Sequence, residues 1–318
     1  MIPAVLHFVW LGPVFPWLNA LAIVSAAECG GFERIVLHTD CSPEVVFRHR
    51  GLAQLRARFE LRPIDLGDLA KNAGRTVCDA RRTYDVMTSA AARSDVLRAL
   101  ILAGEGGVYL DLDTITVASF RPLLERCGAF VGQERICFPN WTFERPPLSG
   151  VARACALSVT RYALRLAPRG YRAFSRIAQH YPLSVNNAVL GSEAHHPFIE
   201  AYVDAMLALP AEQAARRYAV GPHLLARVCP RFERHEHPVT LLDSSAFYPL
   251  PPVISEHWWR TVRPPDLPEL LTNDTLVVHW YASVRSKKLA SQVDSDYVRA
   301  RQDRQLFSCL AARYLHAC

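Results

Sequence analysis

Three short apolar runs, AVLHFVW at 4–10, RIVLHT at 34–39 and FELRPI at 59–64, are separated by helix-length stretches near 15–27 and 43–58. A strand that feeds a helix and then another strand builds a parallel sheet by crossovers, so this recurrence predicts a doubly wound α/β sheet with helices on both faces. A chain of 318 residues that is half apolar has material for one large core with an elaborated lobe. In open α/β sheets ligands bind beyond the carboxyl ends of the strands, which directs attention to polar residues placed there.

The next unit carries such residues. Residues 85–104 (DVMTSAAARSDVLRALILAG) predict a helix, stopped and turned by glycines at 104, 106 and 107. VYLDLDTITV at 108–117 follows as a strand with Asp111 and Asp113 toward its end. One residue apart, the two carboxylates share a face of an extended strand and can reach one cation. Oxygen ligands with open positions suit Mg(II) or Mn(II), which take phosphate oxygens from a substrate. The triplet alone is weak, since D-x-D arises by chance about once in a chain of this length. On the preceding helix Asp95 and Arg98 share one face at i and i+3, with Val96, Leu97, Leu100 and Ile101 toward the core. They could bind ribose hydroxyls and phosphate, or form an ordinary helix ion pair.

Beyond this unit the pattern weakens over 134–182, an Arg-rich stretch read as an insertion or acceptor-side lobe. Regular structure resumes with NNAVLGS at 186–192, a helix near 197–208, a helix opening at GPHLLARV, a strand at VTLLD and a strand TLVVHW at 275–280. The last 25 residues predict a terminal helix. The expected division is a catalytic domain over 1–290 and a C-terminal helical extension over 291–318.

The charge is +6, and lysine occurs only at 71, 287 and 288. Such arginine bias fits a GC-rich bacterial genome, and arginine forks suit phosphate or an anionic membrane face. Nine cysteines without any CxxC pair favour reduced thiols and a cytoplasmic address over disulfides or a zinc site. The apolar first 27 residues lack a basic n-region and are interrupted by Pro3, Pro13 and Pro16, so they are read as strand and helix rather than as a signal or anchor. Any membrane attachment is expected to be peripheral, and no nucleic-acid partner is expected.

Four segments, LHFVWLG, AAARSDVLR, GGVYLDLDT and NNAVLGSEAHHPF, resemble the glycosyltransferases carrying a DXD-containing sugar-binding region. That family includes yeast-type initiating mannosyltransferases, bacterial capsular and lipopolysaccharide transferases and the catalytic domains of clostridial toxins. GPHLLARV, AFYPLPP and VVHWYASVRSKK look like the C-terminal part of globotriaosylceramide synthases. The resemblance implies a GT-A fold, a Mn(II) or Mg(II) cofactor, a nucleotide-sugar donor (a UDP-hexose, galactose or glucose), and transfer with retention onto a glycan or glycolipid such as lipopolysaccharide or capsule. It implies that Trp10 stacks on the donor base, with a core tryptophan as the alternative. Asp95 and Arg98 would bind ribose, sugar or phosphate, and Asp111 the ribose and metal. Asp113 would be the firmest metal ligand, with His279 completing the metal or diphosphate shell unless it is structural. Asn186 or Asn187 would touch the transferred sugar, unless either serves a turn. Ser283, Arg285, Lys287 and Lys288 would form a loop over the diphosphate; Arg285 stands where the toxins have a tryptophan, so cations would replace a ring as the clamp. Three other readings remain: a toxin-like transferase acting on protein, an inactive sugar-nucleotide-binding module, and a haloacid-dehalogenase-type phosphatase, whose DxDx[TV] signature Ile115 breaks.

Overall fold

A computed structural model describes residues 1–139, 145–282 and 287–316, with only the backbone at 287 and 288. Nine strands occur among these residues: β1 Val5–Trp10, β2 Arg34–Thr39, β3 Phe59–Pro63, β4 Gly107–Leu110, β5 Thr114–Thr116, β6 Ala129–Arg135, β7 Leu183–Ser192, β8 Val239–Leu242 and β9 Val277–His279. Seven form one sheet in the order β3-β2-β1-β4-β7-β6-β8, in which β7 alone runs against the others. β5 and β9 form a separate antiparallel ribbon.

The sheet separates two apolar cores. In β1 and β4, Leu6, Phe8, Val108 and Leu110 face one core with the helix Trp17–Cys29. Val9 and Tyr109 face the other, with the helices Ala90–Glu105 and Pro197–Leu207. Burial on both faces is why these strands read as nearly unbroken apolar runs. The result is the mixed, mostly parallel α/β architecture expected of a GT-A fold.

Ala90–Glu105 starts where the Ser89 hydroxyl accepts the Ala92 N–H at 3.2 Å, and ends at Gly106 with φ 66°. Gly107 continues at φ 97°, and a Cβ there would lie 2.5 Å from the Val5 carbonyl oxygen, so the close approach of β4 to β1 requires glycine.

Several expectations are corrected. The helix predicted over 85–104 begins at Ala90, because Asp85 closes a preceding helix, Val77–Asp85, which was not anticipated; nor was Leu66–Asn72. The stretch 43–58 holds two short helices, Pro43–Val46 and Arg50–Gln54. VYLDLDTITV is not one strand: the chain leaves the main sheet after Leu110, turns through Leu112 and Asp113, and enters the ribbon at Thr114. The turn is fastened by the Thr114 hydroxyl, which donates to the Asp111 carbonyl at 2.7 Å. TLVVHW contributes only Val277–His279, to the ribbon. The stretch from 134 opens on the last two residues of β6 before the helices Leu148–Leu166 and Gly170–Ile177. The predicted terminal helix is two short ones, Ser295–Arg299 and Leu306–Ala311, followed by a 3-10 turn.

Candidate active site

The carboxyl ends of β4 and β6 bring Asp111 and Glu134 to one end of the sheet, and the Ala90–Glu105 helix supplies Asp95 and the cation that holds it to Asp111. Arg98 is 3% exposed. Its guanidinium lies 3.1 Å from Asp95 Oδ1 and 3.0 Å from Asp111 Oδ1, and its carbon stands 4.3 Å from the centre of the Tyr109 ring. It also donates to the Asn187 carbonyl. The Asn187 amide donates to Asp95 Oδ1 at 2.8 Å, and the Tyr109 hydroxyl donates to Asp111 Oδ1 at 2.8 Å. A Cβ at Gly221 would stand 2.5 Å from Asp95 Oδ2 and 3.0 Å from the Asn187 amide nitrogen, so the turn opening GPHLLARV must lack a side chain.

Asp113 has a different environment. His279 Nε2 lies 2.8 Å from its Oδ1, and the Ala282 N–H donates to its Oδ2 at 2.7 Å. One ligand atom from each of Asp111, Asp113 and His279 can be chosen so that all lie within 4.8 Å of one another.

The two aspartates are therefore poised differently. Burial pushes the Asp111 carboxyl up against the opposing pull of Arg98. Burial also acts to raise Asp113, but the charge and hydrogen bond of His279, with the Ala282 amide, outweigh it and hold the carboxyl below its ordinary value. On His279 burial is the strongest influence and lowers, but the charge and hydrogen bond of Asp113, with the charges of Asp111 and Glu134, together outweigh it, and the net is upward. Asp95 is pushed up to about 6 by burial, with Arg98 opposing.

These groups line a cavity of about 680 Å³, a size that takes a small organic ligand. Asp95, Arg98, Asp111, Asp113, Asn186, Asn187 and His279 are all in its wall. The Asn186 side-chain oxygen Oδ1 accepts the Ala188 N–H at 2.7 Å, a local turn role, whereas the Asn187 side chain is joined to Asp95. Trp10 does not line this cavity: its indole N–H donates to the Val14 carbonyl at 2.9 Å and its ring meets Phe15 edge-on. Ser283 and Arg285 lie outside the described residues. The backbone of Lys287 and Lys288 opens the short helix Lys287–Ala290, and their side chains lie outside the description.

Sequence reasoning missed Glu134, which lines the cavity and accepts the Tyr281 hydroxyl at 2.6 Å. Burial raises its carboxyl. Tyr281 is held at φ 59°, a backbone state that is costly for a bulky residue. Arg216, Arg217, Tyr218 and His223 on the far wall were also unforeseen. Glu134 had a usable signal, an acid at the carboxyl end of a strand, but it required recognising β6.

Two carboxylates and one imidazole, with no thiolate, form a donor set that fits Mn(II) or Mg(II). The three ligand atoms, His279 Nε2 among them on the Asp113 side, are close enough for one cation to bridge.

Residues 28–128 match the family model described as the glycosyltransferase sugar-binding region containing DXD motif, a stretch that spans Asp95, Arg98 and the Asp111–Asp113 turn. No curated protein matches the chain. Among solved structures, the PaToxG glycosyltransferase is 16% identical over 72% of this chain and 69% of its own, with a TM-score of 0.42. Mouse xyloside xylosyltransferase 1 is 14% identical over 86% and 96%, with a TM-score of 0.42. The galactosyltransferase LgtC, in complex with donor and acceptor sugar analogs, is 12% identical over 91% and 96%, with a TM-score of 0.41. Likeness at that level adds nothing to the geometry above.

Proposed function

We propose, for a chain whose residues 28–128 match the sugar-binding region containing DXD motif of glycosyltransferases, that it transfers a hexose, galactose or glucose, from a UDP-sugar with retention of configuration. The observation that carries this reading is the convergence of Asp95, Arg98, Asp111, Asp113, Asn187 and His279 on one cavity. Asp111, Asp113 and His279 would hold Mn(II) or Mg(II), which neutralises the diphosphate and improves it as a leaving group. Arg98, itself buried, keeps the partly buried Asp95 and Asp111 in register and offsets their mutual repulsion. Asp95, fixed by Arg98 and Asn187, presents its carboxylate to ribose or sugar hydroxyls. Arg216 and Arg217 on the opposite wall supply positive charge for phosphate, a part first expected of Arg285, Lys287 and Lys288. The acceptor hydroxyl attacks from the face the diphosphate leaves, and preorganised charge supplies most of the rate.

We read 134–182 as an acceptor-side lobe and 291–318 as an extension of the catalytic domain. The acceptor is a glycan or glycolipid, such as lipopolysaccharide or capsule, met by a cytoplasmic protein at the inner face of the membrane. Among the described residues no helix is long and apolar enough to cross a membrane, which agrees with peripheral attachment.

The test is a donor screen: hydrolysis of UDP-galactose, UDP-glucose, UDP-N-acetylhexosamines and GDP-mannose, with and without manganese, by the native protein and by Asp113→Asn. A manganese-dependent UDP-hexose activity lost in the variant is expected. Undiminished turnover in Asp113→Asn would remove the metal role, and phosphate release from simple phosphoesters without any nucleotide sugar would replace the reading with a phosphatase.

A further inference from the structure

The helix Leu148–Leu166 faces outward with its apolar side. Leu148, Val159, Tyr162 and Leu166 are 90, 72, 58 and 53% exposed. At 100° per residue their positions fall within a narrow arc; the exposed Cys155 lies inside it, and the exposed Ala152 and Ala163 border it. The opposite side carries Leu157, Leu164 and the buried Ala154, together with Arg161, whose guanidinium donates to the Val253 carbonyl at 2.7 Å. A surface helix normally turns this pattern round, and an apolar stripe of this length on a free face marks a contact surface.

Its charge identifies the occupant. Between 145 and 182 there is no Asp or Glu. Arg161 and Arg165 pair with Glu256, and Arg172 with Asp266 and Glu269, so these three are neutralised by the body of the protein. Arg153 and Arg169 donate to the backbone carbonyls of His180 and Arg263, which leaves their charge without an opposing carboxylate among the described residues. Arg176 is exposed and likewise has no carboxylate partner there. A second copy of this helix would bring these cations against their equals, whereas an anionic lipid surface complements them. We infer that Leu148–Leu166 lies in the interface of an anionic membrane, with Leu148, Val159, Tyr162 and Leu166 in the acyl boundary and Arg153, Arg169 and Arg176 at the headgroups.

At 1.5 Å per residue the helix is about 28 Å long, enough to lie flat as an interfacial element. Tyr162 has the amphipathic ring favoured at that depth. The strand that precedes the lobe ends beside Ile136 and Phe138, which line the cavity, and Phe138 is itself 53% exposed. The inference deepens the peripheral placement proposed above and rests on it for the acceptor, while lipid binding itself is read without any turnover.

The experiment is flotation with phosphatidylcholine vesicles, with and without phosphatidylglycerol. The native protein should float only with the anionic vesicles. Val159→Ser combined with Leu166→Ser should lower partition by about tenfold or more, given the free energy of burying each methylene. Replacing Arg153, Arg169 and Arg176 together by Gln should remove the preference for phosphatidylglycerol and the salt sensitivity. Both sets sit at exposed positions, and unchanged thermal melting verifies that they fold. Asp113→Asn should float like the native protein, so loss of the sugar reading leaves this one standing and the reverse. Unchanged partition of the Val159/Leu166 variant overturns the inference. Equal flotation with pure phosphatidylcholine overturns the charge argument, and light scattering that shows a dimer dissolved by the same variant, with no vesicle binding, assigns the face to a second copy.

Discussion

Behind the cavity wall, Arg98 is 3% exposed and sits between two carboxylates; on the Leu148–Leu166 helix, Leu148 is 90% exposed and has small apolar neighbours along the same face. One region takes charge out of water and the other leaves hydrocarbon in it. Both choices oppose folding stability, so each is informative in a way that the ordinary core around Leu6 and Phe8 is not. They differ in how the cost is met. Arg98 is compensated inside the fold, by Asp95, Asp111, Tyr109 and Asn187. The helix face finds no compensation among the described residues and draws it from outside.

That contrast can be broken at several strengths. Arg98→Met should have the largest effect, because it removes a buried cation that two partly buried carboxylates share; a loss of about 3–5 kcal/mol in denaturant unfolding is expected, with activity abolished. A near-neutral result would mean that water in the cavity compensates Asp95 and Asp111 once the guanidinium is gone. Next, Asp113→Asn should reduce manganese-dependent donor hydrolysis by about 10²–10³-fold, with a smaller loss of stability than Arg98→Met because the ion pair with His279 goes while the shape of the side chain stays. Asn187→Ala frees the Asp95 carboxylate on one side and should lower turnover by about tenfold, measured at saturating donor, consistent with loss of a hydrogen bond to a charged group.

Asp95 also predicts a pH dependence. Its carboxyl ionises at about 6 in the folded protein, above its unfolded value, because it is buried. The unfolded chain therefore gives up this proton first. The group's contribution to stability is complete below the unfolded value and is lost as pH climbs through about 6. Metal-free protein should lose more stability between pH 4 and pH 7 than Asp95→Asn does, in urea midpoints; equal slopes would show that Asp95 ionises in the fold as it does in water. The smallest effect belongs to the other region. Val159→Ser should change stability by no more than about 0.5 kcal/mol, as expected of an exposed position whose role is external.

The sequence made the first half of the sheet legible and blurred the second. β1, β2 and β3 are apolar runs bounded by helices, and period and length sufficed. Asp95, Arg98 and Asp111 could be placed together because their helix and strand were recognised as one unit. The break after Leu110 could not be read, since Leu112 keeps the alternation going through the turn, and only the Thr114 hydroxyl and the pairing with β9 reveal that the chain has changed sheets. β6 was hidden because AFVGQER ends in polar residues and merges into the Arg-rich stretch, which concealed Glu134. In sequence the arginines of 161–176 read as one basic stretch, yet salt bridges to Glu256, Asp266 and Glu269 divide them, and no local pattern announces partners some 95 residues away. The outward apolar stripe was missed for a related reason: periodicity defines a hydrophobic face but not which side the fold will cover.

The turn at Leu112 and Asp113 has one more consequence. Asp111 is attached to the end of β4 in the seven-stranded sheet, whereas Asp113 leads into β5 and His279 closes β9. A ligand held by all three is a clasp between two sheets. By mass action its binding would add to the stability of the ribbon, so a divalent cation should slow amide exchange at Val277, Val278 and His279 and leave β2 and β3 unaffected. Occupancy at the donor site would thus be transmitted through the short ribbon to the mechanical hold on the end of β9.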